Sequence, residues 1–224
     1  MAELWKTWEL KGNKMLTQFL GIARGKVESR SIVETLTQAI PYYEPGMTLL
    51  DAGCGVGQML FPFCHQFYGR MEDYTGIDIT DTYLQSARKQ FKTARFEHEE
   101  IGSLSYDAAS FDIVVSVSVL LHIPPPPEIL FADLARVTRS HLFIRTLVSA
   151  EDVELKIMAS DDNAAWPDRH YWFYNSYSEK TIRKAISSVD PSAHVTFTDT
   201  RRNSARAYFG ARWNIIHVER NSGG

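Results

Sequence analysis

At 224 residues, with 44% hydrophobic residues, 23% charged residues and a net charge of −3, the chain can bury a full α/β core as one large domain or two small ones. The acidic balance argues against a nucleic-acid partner, which usually leaves a basic footprint, and no apolar run approaches the length that spans a bilayer. Cys54 and Cys64 are the only cysteines and the first residues lack a basic-then-apolar leader, so a reducing, cytoplasmic setting is expected, with neither a disulfide framework nor a zinc site.

The first 45 residues read as helical. Leu4, Trp5, Trp8 and Leu10 share an apolar stretch, and Met15, Leu16, Phe19 and Leu20 recur at helical spacing. Ser31 to Glu34 reads as a capping box opening a helix over 32–40, which Pro41 stops. From residue 47 onward, strand and helix patterns alternate, implying βαβ units and a largely parallel sheet. Strands are expected over 47–51, 73–79, 94–98, 111–117, 141–147, 194–200 and 211–218. Helices are expected over 58–67, 82–91, 128–138 and 178–188. Pro124 to Pro127 forms a stiff elbow whose last prolines suit the first turn of the helix that follows.

The first strand runs into Asp51-Ala52-Gly53-Cys54-Gly55-Val56-Gly57-Gln58, an acid followed by three glycines at alternate positions. Such glycines allow backbone angles closed to other residues and remove Cβ atoms that would hold a ligand off. In open α/β sheets, ligands bind in the crevice where a strand gives way to its helix. The pyrophosphate fingerprint would need glycine or alanine where Gln58 stands, and Asp51 would sit badly beside a pyrophosphate. Asp51 suits a ligand bearing an amine and a sulfonium. The second strand ends at Asp78, 21 residues past Gly57, where such folds place the carboxylate that holds both ribose hydroxyls. The structural alternative is a strand-end acid capping the helix from Asp81.

With Phe111-Asp112 opening an apolar fourth strand and Val117 to Ile123 following it, four landmarks between residues 47 and 123 resemble class I S-adenosylmethionine (SAM)-dependent methyltransferases in order and spacing. The resemblance implies an α/β, Rossmann-like seven-stranded sheet, mostly parallel, with helices on both faces. It also implies a helical cap over residues 1–45 acting as a lid, and a SAM-binding domain over 46–224. A helical layer merely packed on the sheet is the alternative to the lid. By the same resemblance, Asp51, Gly53, Cys54, Gly55 and Gly57 hold the cofactor's methionine end and Asp78 its ribose. Ile79 borders the adenine, and Ser116 joins the cofactor set from strand four. Counting back from Leu104 puts Glu100 beside the adenine amino group, with Ile101 after it; Glu97 and Glu99 compete for that place. Thr138-Arg139-Ser140 departs from the Pro-Gly-Gly turn common before strand five in this family.

Residues 148–177 form a long connection with weak periodicity, read as an acceptor-side insertion. It carries Trp166, His170, Tyr171, Trp172, Phe173 and Tyr174. Aromatic walls with polar edges seat a flat or partly apolar acceptor and exclude water, unless these residues simply plug the sheet edge. Methyl transfer is an in-line displacement that depends largely on positioning. A hydroxyl or protonated amine also needs a base, and His122 is the best-placed candidate, ahead of His170, Tyr171 and Tyr174. A purely structural role for His122 is the alternative. No His, Asp or Glu spacing suggests a metal-ligand set. The expected activity is methyl transfer from SAM to O or N of a small-molecule acceptor, a metabolite or sugar-like biosynthetic intermediate, leaving S-adenosylhomocysteine (SAH). An RNA or protein methyltransferase is the alternative that Arg201, Arg202, Arg206 and Arg212 would favour. A non-catalytic SAM-binding module is the third reading, since fold alone does not imply catalysis.

Overall fold

Parallel strands covered on both faces need apolar side chains throughout, and the central runs of this chain meet that need. The computed structural model describes residues 12–124, 126–158, 171–200 and 210–220. Leu4, Trp5, Trp8 and Leu10 of the expected N-terminal helices lie outside those residues, as do Trp166, His170, Arg201, Arg202 and Arg206. Strands β1 (Leu49–Ala52), β2 (Tyr74–Asp78), β3 (Arg95–His98), β4 (Phe111–Val117) and β5 (Thr138–Ser149) pair in parallel in the order β3-β2-β1-β4-β5. A two-stranded arm, β6 (Lys156–Met158) with β7 (Tyr171–Phe173), rises from the long connection, and β8 (Tyr177–Ser178) adds to the end of β5. The sheet is completed by β9 (His194–Asp199) and β10 (Arg212–Glu219), with β10 antiparallel to β5 and to β9. The expected seven strands therefore form the main path, and β8 is an eighth.

Helices cover both faces. On one side α1 (Gly12–Ala23), α2 (Arg30–Ala39), α3 (Leu60–His65) and α4 (Asp81–Gln90) meet the sheet near Leu49, Val115 and Phe143. On the other, α5 (Pro127–Val137) and α6 (Glu179–Ser187) pack on Leu50, Val114 and Ile144. Several boundaries differ from the sequence reading for local reasons. No capping box forms at Ser31: α2 starts at Arg30 after Ser29, whose side chain makes no cap bond, and Glu34 pairs with Arg30 at 2.8 Å. The α3 helix waits until Leu60 because Gly57, at φ +79°, keeps the turn left-handed first. Without a Pro-Gly-Gly turn, α5 passes directly into β5, where Thr138 Oγ1 donates to the Leu134 carbonyl at 2.7 Å.

The chain builds β1, β2 and β3 outward in one direction, then crosses back to lay β4 and β5 on the other side of β1. That reversal opens a crevice beyond the ends of β1 and β4, the place where open α/β sheets take ligands. Among the described residues no helix is long and apolar enough to cross a membrane.

Candidate active-site crevice

A cavity of about 650 Å³ lies at that reversal, within the range of small-molecule sites. One half is built from the glycine turn and the acids that end β2 and β3. Gly53 and Gly55 line it at φ +86° and +56°, angles that favour glycine. A Cβ on Gly53 would come within 2.3 Å of the Val119 side chain, so the close approach of β1 to the segment after β4 depends on its absence. Asp78 also lines the cavity; its Oδ2 accepts from the Gly55 amide at 2.8 Å and its Oδ1 from the Thr80 amide at 2.9 Å. Burial pushes its carboxyl above the usual range, while the amide hydrogen bonds from Thr80 and Gly55 work the other way. Each oxygen keeps acceptor capacity, as a vicinal diol requires.

Beside it, Ile79, Glu99, Glu100 and Ile101 continue the wall. Of the three competing acids, Glu97 accepts from the Tyr106 hydroxyl and Glu99 accepts from the Ser105 hydroxyl, which leaves Glu100 as the exposed carboxylate of the group. The loop they sit on is pinned from behind. Buried Asp133 of α5 accepts from the Gly102 and Leu104 amides, both at 2.9 Å, and pairs with Arg136 at 2.7 Å.

The other half belongs to the segment after β4 and to the arm. Val117, Ser118, Val119 and His122 line it together with Tyr174. The His122 Nδ1 lies 2.8 Å from the Phe173 carbonyl, which can only accept, so Nδ1 carries the proton and Nε2 is the basic nitrogen of the neutral ring. The ring meets Tyr174 edge-on, with centroids 5.0 Å apart. Phe19 and Ile22 of α1 and Ile32 of α2 close the cavity from above.

Not every expected site residue reaches this wall. Asp51 is buried beneath the turn, where its Oδ2 accepts from the Tyr74 hydroxyl at 2.6 Å. Cys54 is buried with its thiol pushed up by burial, and Gly57 faces Phe91 and Phe96 rather than the cavity. Ser116 donates to the Ala52 carbonyl at 3.0 Å inside the sheet. Trp172 pairs across the arm with Ile157 and is not on the wall; Tyr171 stands in backbone register with Met158, and His170 lies outside the described residues. Phe19 and Tyr83 line the crevice without having been named as site residues, and Ser118 joins His122 there at the end of β4. Helical spacing marked Phe19 as apolar, but nothing in the pattern around Ser118 signals its φ of +60°. Among the described residues no cluster of three or more His, Cys, Asp or Glu could hold a metal ion.

Residues 50–143 match the family model described as a methyltransferase domain. A highly reducing polyketide synthase of Aspergillus aculeatus is 24% identical over 176 residues, covering 74% of this chain and 7% of the synthase. The chain thus spans a small part of the curated relatives it matches first, 3% in the case of a polyketide synthase-nonribosomal peptide synthetase of Pyricularia grisea. Among solved structures, magnesium protoporphyrin IX methyltransferase of Synechocystis with bound SAM superposes with a TM-score of 0.59 at 16% identity, covering 99% of both chains.

Proposed function

We propose that the chain is a class I SAM-dependent methyltransferase and that it methylates O or N of a small-molecule acceptor seated against His122 and Tyr174. The observation that carries this reading is the single crevice with two chemically distinct halves, one of glycine backbone and carboxylates, the other of an imidazole and an aromatic ring. SAM supplies an electrophilic methyl on a sulfonium, ready for in-line displacement. The residues present fit it: the left-handed Gly53–Gly55 backbone leaves room for the methionine end, Asp78 accepts from the ribose diol, and Glu100 with Ile101 borders the adenine. His122 positions the acceptor and takes its proton at Nε2, Nδ1 being held by Phe173. Tyr174 and the α1 and α2 side chains exclude water, with those helices acting as the lid over the cofactor. The small-molecule assignment is supported by the enclosed volume, the net charge of −3 and similarity to a protein named for protoporphyrin methylation.

The test uses two variants and two readouts. Asp78→Ala leaves two ribose hydroxyls without an acceptor, and SAM affinity by calorimetry should fall by about 5–150-fold, from about 1–3 kcal/mol. His122→Ala should hold SAM affinity within about threefold while methyl transfer to an acceptor found by screening metabolite pools with labelled SAM falls at least about 100-fold. Unchanged SAM affinity in Asp78→Ala sinks the cofactor assignment; unchanged turnover in His122→Ala sinks the base.

A further inference from the structure

Arg145, on β5, is a half-buried cation with little to answer its charge. Its guanidinium stacks on Trp213, 4.2 Å from the ring centroid, and its Nε is buried without a hydrogen-bond partner. Among the described residues no carboxylate lies within ion-pair distance of it. Glu34 acts on it from α2 but is itself paired with Arg30 at 2.8 Å. The hydrogen bond it does make is aimed at the crevice wall: Arg145 Nη1 donates to Ser118 Oγ at 3.0 Å. Ser118 in turn is held in the left-handed region at φ +60°, its amide donating to the Arg145 carbonyl at 2.8 Å. A serine there is strained, and strain of this kind persists where the surroundings fix a side chain in place.

The consequence is chemical. Because Ser118 Oγ accepts from a guanidinium, its own proton is available to donate, and among the described residues it has no acceptor. A polarised hydroxyl on the wall, backed by an unneutralised cation, is a donor for negative oxygen. We propose that Ser118 and Arg145 form an anion subsite in the acceptor half of the crevice, so that the acceptor carries a carboxylate or phosphate oxygen that accepts from Ser118. This rests on the methyl-transfer reading of the crevice and adds the charge class of its acceptor. Ser118 touches the substrate; Arg145 is a positioning residue that acts through it.

The test titrates SAH-loaded protein with benzoate, phenyl phosphate and neutral benzamide, followed by saturation-transfer NMR. Wild type should bind at least one of the anions about tenfold or more tightly than benzamide, as a charge-assisted hydrogen bond implies. Ser118→Gly suits the positive φ and should keep the melting temperature while bringing the ratio below about threefold. Arg145→Gln should do the same to the ratio, and Arg145→Lys should restore part of it. Equal binding of anions and benzamide by wild type, or a preference that survives Ser118→Gly, overturns the subsite. Tighter binding of phenyl phosphate or of benzoate identifies which anion the acceptor bears. SAH failing to bind at all would instead overturn the methyl-transfer reading, so the two failures are distinguishable.

Discussion

Asp51 and Tyr74 form a buried pair directly under the glycine turn, and the consequence for the protein is a titration. Burial pushes the Asp51 carboxyl up to about 7, helped by the nearby Asp78 charge and opposed by the hydrogen bond from Tyr74. A carboxyl raised from 3.8 binds its proton more tightly in the folded chain than in the unfolded one. Its contribution is therefore fully present below about pH 4 and lost as pH rises through about 7. Asp51→Asn keeps an acceptor for the Tyr74 hydroxyl and has nothing to titrate. Urea denaturation at pH 5 and pH 8 should show the variant gaining on wild type as pH rises; a constant difference would mean that Asp51 stays ionised throughout. This residue also shows where sequence was informative and where it stopped. An acid before a glycine turn is visible in the chain, but only the β2 register, which sets Asp51 opposite Gly76 with Tyr74 two residues away, shows that the acid points into the core. Asp78 was legible because it ends a strand that the pattern defines, and His122 because it stands in the short segment that follows β4, where the chain must open on the crevice. The pairing of Ser118 with Arg145 was not, since positive φ on serine and a missing counter-charge leave no trace in composition or spacing.

Among the elements, the loop after β3 depends on a helix on the far side of the chain's crossover. Asp133 of α5, 8% exposed, accepts from two amides of that loop, and Arg136 clamps its carbonyls, donating to Leu104 at 2.9 Å. Removing the carboxylate strands two amide donors and leaves Arg136 without its ion-pair partner. Asp133→Ala should cost about 1–3 kcal/mol, the penalty for leaving buried donors unsatisfied, since Arg136 is partly exposed and keeps its carbonyl partners. SAM affinity should fall with it, because Glu100 and Ile101 ride on the loop. Unchanged stability and affinity together would show that the loop holds its shape alone. The central strands were readable to within two or three residues because fully buried parallel strands are unbroken apolar runs. The arm of β6 and β7 and the two-residue β8 were not, being too short for any period to emerge.

At the scale of the whole molecule, the site depends on one reversal of strand order. It brings the end of β1 beside the end of β4, and so sets the glycine turn and Asp78 across one cavity from Ser118, His122 and Tyr174. The N-terminal helices complete the enclosure by laying Phe19, Ile22 and Ile32 over it. The most direct measurement of this account is a crystal structure of the protein with SAH. It should show the ribose hydroxyls about 2.6–3.2 Å from Asp78, the amino-acid end over Gly53 and Gly55, and the sulfur facing the half of the cavity that His122 and Tyr174 line. SAH bound elsewhere, or seated with its sulfur turned away from His122 and Tyr174, would contradict it.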